Sequence, residues 1–207
     1  MVPGDPFFRW DWTVRHLDDI WPALLGHVVL TAIAVGIGLA ISLVLSLVIV
    51  RYRWTSAPIT WATGILYTIP SLALFAFLVP IFGFKLVTAE IGLVSYTLLI
   101  LTRNIVAGLD GVPGDVREAA VGMGYSPIQV RVRVDLPLAL PVIIAGLRIA
   151  TVTTIGLVTV TAIIGRENLG ALILDGINRG FNTPAVLADG ALVLVQRWAT
   201  PWTRAGR

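Results

Sequence analysis

Hydrophobic positions along this chain come in long unbroken runs, with none of the alternation expected of strands. No Asp, Glu, Lys or Arg occurs from Ile20 to Val50 or from Trp54 to Phe84, two runs of 31 residues each. About 20 apolar residues suffice to cross a bilayer core, so each run holds a spanning helix. The pattern predicts span one over Ala23–Val50, span two over Ile59–Phe82, span three over Leu86–Ile105 and span four over Leu138–Ile164. A last apolar stretch, Ala185–Val195, has 11 residues and contains Asp189. As a helix it covers ~16 Å of a ~30 Å hydrocarbon core and does not span unaided. The expectation is an all-α polytopic membrane protein with four full spans and a short or truncated fifth.

Two shorter pieces carry their own pattern. Asp11 to Trp21 mixes charge with Trp10, Trp12 and Trp21, as in a helix lying at the membrane interface. Leu169, Leu172, Ile173 and Ile177 fall at i, i+3, i+4 and i+8, an amphipathic turn or two that Gly180 would end. Residues 1–22 are therefore expected to form an extracytoplasmic interfacial segment, 23–195 the membrane domain with its longest inside loop at 108–135, and 196–207 a basic tail.

Composition agrees with a membrane solvent: 57% of residues are hydrophobic and only 13% charged, about half the charge of a soluble domain. The net charge of +3 is a topology signal. With the N-terminus outside, nine basic residues fall on inside segments (Arg51, Arg53, Arg103, Arg117, Arg131, Arg133, Arg197, Arg204, Arg207) and five outside (Arg9, Arg15, Lys85, Arg166, Arg179). Of the acidic residues, four lie inside and eight outside. The expected location is a bacterial inner or plasma membrane, multi-pass, with the C-terminus in the cytoplasm and the lipid bilayer as solvent. Nucleic acid is not an expected partner. The first 19 residues contain four Asp and two Arg, the wrong polarity for a signal peptide.

Within the spans, polar and small residues form stripes. Ala34, Gly38, Ser42 and Ser46 recur every four residues in span one, the register of a close-packing seam in lipid. Thr60, Gly64, Tyr67 and Ser71 in span two fall within about 60° of one another on a helix. Span four carries Thr151, Thr154 and Thr161 on one face. Such stripes either bond across helix interfaces or line a water-filled path. Pro70 at the centre of span two frees a backbone carbonyl and kinks the helix, which makes Tyr67, Pro70 and Ser71 the foremost candidates for a translocation path. Arg148 lies partway into span four, placed to snorkel or to pair with Asp110 or Asp135.

Chemistry of other kinds has no residues to carry it. Lys85 is the single lysine and Phe84 precedes it, so no phosphate-binding loop exists in the sequence. The two histidines, His16 and His27, have no zinc-ligand spacing, and no carboxylate dyad lies deep in a span. An enzyme is not expected, there is no catalytic or metal site, and energy must come from a partner chain.

The loop from Gly108 to Asp135 is the most specific part of the sequence. Val116, Ala119, Ala120 and Met123 fall at i, i+3, i+4 and i+7, which predicts a short helix over Pro113–Met123. Gly124 would end it in the left-handed conformation, and Ser126 with Pro127 would start another turn. Leu136-Pro137 then leads into span four. The run EAAVGMG, nine residues, then VDLP resembles the EAA signature of permease subunits of binding-protein-dependent ABC importers. Glu118, Ala119, Ala120, Gly124, Val134, Leu136 and Pro137 match it in full. YTIPSLALFAFLVPIFG, LTRNIVAGLDGVP and LPVIIAGLRIATVTTIG are similar to the osmoprotectant branch, the glycine betaine, carnitine and choline permeases. The likeness runs from about Leu17 to Leu194.

That resemblance implies a type I importer (MetI-like) transmembrane fold. It implies a second permease subunit, identical or not, cytoplasmic ABC ATPase subunits, and an extracellular or periplasmic solute-binding protein. ATP and Mg would be bound by the ATPase, leaving this chain without a cofactor. Glu118, Ala119, Ala120 and Gly124 would couple to the ATPase, and Leu136-Pro137 would transmit movement to span four. The alternatives are the same machinery with an amino acid such as methionine as cargo, or a truncated, non-transporting membrane scaffold.

Overall fold

In a computed structural model, the structure describes residues 9–179 and 182–199, and among these every regular element is helical. The helices are α1 (Trp10–Arg15), α2 (Leu17–Arg51), α3 (Ser56–Thr68), α4 (Ser71–Phe82), α5 (Leu86–Asp110), α6 (Gly114–Gly122), α7 (Pro127–Val130), α8 (Leu136–Val160), α9 (Leu169–Arg179) and α10 (Asn182–Ala199). Among the described residues, three helices are long and apolar enough to cross a membrane, and four if α3 and α4 count as one broken span. The three are α2, α5 and the continuous stretch Pro127–Ile164 around α8.

The elements depart from the sequence expectation at four places. The helix that holds span one begins earlier than the apolar run: α2 already includes Leu17 to Trp21, and only Trp10–Arg15 form a separate helix before it. Asp18 and Asp19 in the first turn of α2 suit the positive end of the helix dipole, which lets the helix extend past its apolar run. Span three is longer, running on to Asp110.

The third departure is at Pro70, where span two breaks outright. α3 ends at Thr68, and Pro70 stands outside α4 with ψ 133°. Proline offers no N–H, and it disfavours helical backbone at Ile69 before it, so both sides of the junction leave the helix. The stripe Thr60, Gly64, Tyr67, Ser71 is thereby cut, with Ser71 opening a new helix.

The last departure is α10. It spans 18 residues, not 11, about 27 Å at 1.5 Å per residue. It extends through Asn182–Pro184 before the apolar stretch and Gln196–Ala199 after it. Gly180, expected to end α9, and the tail beyond residue 199 lie outside the described residues.

Two compact units make up the chain. One consists of Val35–Thr68 and Val94–Ala150. Its core gathers Leu101, Ile105, Ala139, Ile143 and Ala150 from α5 and α8. The small-residue seam of α2 packs on α5 as its register predicts. A Cβ at Gly38 would collide with the Thr97 hydroxyl, and the Ser46 hydroxyl lies 3.4 Å from the Thr102 carbonyl that it donates to. Gly146 likewise admits Asn104 where any side chain would clash. In lipid the hydrophobic effect no longer drives helix association, so this close backbone approach is what holds the unit.

The other unit comprises the described residues within Met1–Ala34, Ile69–Leu93 and Thr151–Arg207. Ala23, Leu169 and Ala188 form its core, bringing α2, α9 and α10 together. His27, fully buried, bonds through Nε2 to the Ile155 carbonyl at 2.9 Å; a carbonyl only accepts, so Nε2 carries the proton. The Arg9 amide donates to the Thr183 hydroxyl at 3.0 Å and ties the chain before α1 to α10. A hydrogen bond from Arg9 holds the Asp11 carboxyl down to about 2, so this exposed cluster keeps its charge throughout the physiological pH range.

Candidate functional site

The loop between α5 and α8 is built by local rules. Pro113 precedes α6 with ψ 140°, and Asp115 occupies its first turn. At the other end Gly124 has φ +86°, the left-handed region that suits glycine. The Gly124 amide donates to the Val121 carbonyl at 2.9 Å and the Tyr125 amide to the Ala120 carbonyl at 3.1 Å. These two bonds form a complete Schellman motif, which satisfies carbonyls that the end of a helix leaves open. α7 follows with Pro127 at its first position and a capping box: the Ser126 hydroxyl accepts from the Gln129 amide and the Gln129 side chain accepts from the Ser126 amide.

After α7 the helix widens into a π turn over Arg131–Asp135. Pro137 has no N–H for the carbonyl of Arg133 four residues earlier, and its ring crowds that carbonyl, so the ladder shifts at this point.

The apolar stripe on α6 is mostly uncovered. Ala120 is buried, but Met123 is 69% exposed, and Val116, Val121 and Ile128 are exposed as well, Ile128 at 74%. Glu118, Ala119, Leu136 and Pro137 are also exposed. An apolar knob of this kind on a short rigid loop is a surface suited to another protein.

Charged residues that the sequence reading did not pair fasten the loop. The Arg117 guanidinium donates through Nε to Asp135 at 2.7 Å and through Nη2 to the Leu109 carbonyl at 2.6 Å. Arg53 forms a bidentate pair with Asp110, at 2.7 and 2.8 Å. Both carboxylates considered for Arg148 are thus held by other arginines. Spacing alone offers no signal for these pairs, since Arg53 and Asp110 stand 57 residues apart and Arg117 has Asp110, Asp115 and Asp135 all within 18 residues.

The residues expected to line a path are placed differently from one another. Tyr67 is 38% exposed and meets Tyr96 edge to face at 6.0 Å between ring centroids. Pro70 is exposed at the break and Ser71 is half-buried. Thr151 is half-buried, whereas Thr154 and Thr161 are buried. Thr161 is engaged structurally: its hydroxyl donates to the Val158 carbonyl at 2.8 Å and accepts from the Asn168 side chain at 2.9 Å.

Asn168 is a structural residue that the periodicity of α9 did not single out. Its side-chain carbonyl caps α9 by accepting the Gly170 amide at 2.7 Å, and it is fully buried. Gly165 turns the chain at φ +75°, and Gly170 lies against the Thr159 backbone where a Cβ would not fit.

Residues 32–195 match the family described as the binding-protein-dependent transport system inner membrane component. The chain is 36% identical over 181 residues to the osmoprotectant import permease protein OsmW of Salmonella typhimurium, covering 85% of this chain and 84% of that one. It is 34% identical over 186 residues to the choline transport system permease protein OpuBB of Bacillus subtilis, covering 84% and 86%. Its fold matches an inward-facing structure of the MetNI methionine ABC transporter with a TM-score of 0.70 at 22% identity, over 96% of this chain and 99% of that chain. The helical loop after the third span, its left-handed glycine and the likeness along the chain agree: this protein belongs to the binding-protein-dependent transport system inner membrane component family, and is a multi-pass permease subunit of an ABC importer.

Proposed function

We propose that this chain is one of two permease subunits of an osmoprotectant importer, moving a quaternary amine such as glycine betaine, carnitine or choline inward by alternating access. The observation that carries the coupling part of the reading is the exposed apolar knob of α6 and α7, held rigid by its own turns. Glu118, Ala119, Ala120 and Gly124 form the docking helix for a cytoplasmic ATPase, which binds the ATP and Mg. Leu136 and Pro137, the first residues of α8, take up the movement of that knob. The excess of basic residues on alternate loops supports a cytoplasmic loop and C-terminus with an outer N-terminus.

The cargo class rests on the relatives named for osmoprotectants and for choline. A trimethylammonium group has no N–H to donate, so an aromatic face suits it, and Tyr67, 38% exposed near the end of α3, offers one. Tyr67, Pro70, Ser71, Thr151, Thr154 and Thr161 remain the candidate residues for the path, Tyr67 and Pro70 being exposed and Thr154 and Thr161 buried. Uptake of radiolabelled glycine betaine, carnitine and choline is measured in a strain lacking other importers, with and without this chain beside its ATPase and binding protein. Uptake that requires the chain is expected; uptake of methionine alone would replace the cargo reading and leave the machine standing. Tyr67→Ala should lower uptake several-fold and Thr154→Val less. Unchanged kinetics in both would return these residues to helix packing.

A further inference from the structure

α6 is joined to its two spans by short segments that each contain a glycine. On one side Asp110 leads through Gly111 and Val112 to Pro113, and on the other Gly124 leads to Ser126. Through the backbone α6 reaches the spans only by way of these two segments, and a side-chain tie from the helix to both spans would shorten that route. Arg117 is that tie. Its Nη2 donates to the Leu109 carbonyl at 2.6 Å, and its Nε to Asp135 at 2.7 Å.

Both acceptors stand where the chain's own prolines have opened the backbone ladder. The Leu109 carbonyl would meet the amide four residues on, but that residue is Pro113, which has no N–H. Asp135 closes the π turn imposed by Pro137, directly before Leu136. One planar guanidinium therefore bridges the end of α5 and the start of α8 from the middle of α6. Asp135 is only 14% exposed, so the bond is screened less than a surface pair. The clamp also borders a cavity of about 400 Å³ between α2, α5 and α8, so close packing does not hold the loop on that side.

We propose that Arg117 is the positioning residue that makes α5 and α8 move together with α6, through a fork that a lysine could not reproduce. This rests on the reading of α6 as the docking helix given above.

The test uses the whole transporter in liposomes, with its ATPase and binding protein, and reads solute moved per ATP hydrolysed. The probe is whichever of glycine betaine, carnitine or choline the wild type moves. Arg117→Ala should keep complex assembly and ATP hydrolysis within about twofold while solute moved per ATP falls about tenfold or more. Asp135→Asn and Arg117→Lys should each fall several-fold, since each leaves one of the two ties. Adding Asp135→Asn to Arg117→Ala should cost nothing further, because the two act through one contact.

A normal ratio in Arg117→Ala would overturn the proposal. So would uptake and hydrolysis falling in step with the amount of assembled complex, which is the mark of a merely structural pair. Gly124→Val separates the readings: if it uncouples transport and Arg117→Ala does not, the clamp alone fails. If neither variant changes the ratio, the docking reading and the clamp both fail.

Discussion

The loop between α5 and α8 and the corner between α8 and α9 solve the same problem by opposite means. Each reverses or redirects the chain at a glycine with positive φ, Gly124 at +86° and Gly165 at +75°. In the loop, the bonds that close the turns come from residues within five positions: Tyr125 to Ala120, Gly124 to Val121, Ser126 with Gln129. Side chains there face outward and several are apolar. In the corner, buried polar groups do the holding. Asn168 joins Thr161 to Gly170, and His27 of α2 bonds the Ile155 carbonyl of α8. A segment that docks on another protein must hold its shape before the partner arrives, so local bonds suit it. A corner inside the unit can rely on neighbours that are always present.

Substitutions can break or sharpen this contrast. The largest effect should follow Gly124→Val, where a β-branched residue is forced into left-handed backbone at about 1–3 kcal/mol. Uptake should be abolished while the amount of chain in the membrane fraction stays normal; normal uptake would remove the loop from the mechanism. Asn168→Leu comes next. It leaves the Gly170 amide buried without its acceptor, at about 1–3 kcal/mol, and removes a partner from Thr161. The melting temperature of the detergent-solubilised chain should drop by several degrees with uptake at room temperature retained. An unchanged melt would mean the corner does not depend on its buried polar bonds.

Ser126→Ala should have the smallest effect of the three. It removes one local cap worth about 1 kcal/mol from an exposed four-residue helix. Faster amide exchange at Gln129 with an unchanged melting temperature is expected. A lowered melt would show that this local cap contributes to the stability of the whole protein.

Much of the architecture could be read from the sequence because the membrane imposes strong and simple demands. The two runs without charge predicted α2 and the apolar stretch that α3 and α4 share. The four-residue spacing from Ala34 to Ser46 predicted the seam on α5. The position of Gly124 between EAA and the following Ser126-Pro127 predicted the turn, since glycine takes the left-handed conformation that ends a helix without steric cost. The site was less legible. The stripe through Tyr67 and Ser71 assumed a continuous helix that Pro70 interrupts. The periodicity of α6 was real, but its apolar face points away from the chain's own core.

The sequence by itself determined the membrane environment, the order of the spans, and the cap and turn chemistry of the loop, because hydropathy and backbone conformation are properties of a residue and its near neighbours. Only the tertiary structure decided which carboxylate each arginine takes, which threonines are buried, and that the amphipathic face of α6 is left uncovered. Arg117 reaches Leu109 and Asp135 across 8 and 18 residues of chain, and Arg53 reaches Asp110 across 57. Contacts over such separations depend on how helices lie beside one another, a matter on which spacing in the sequence is silent.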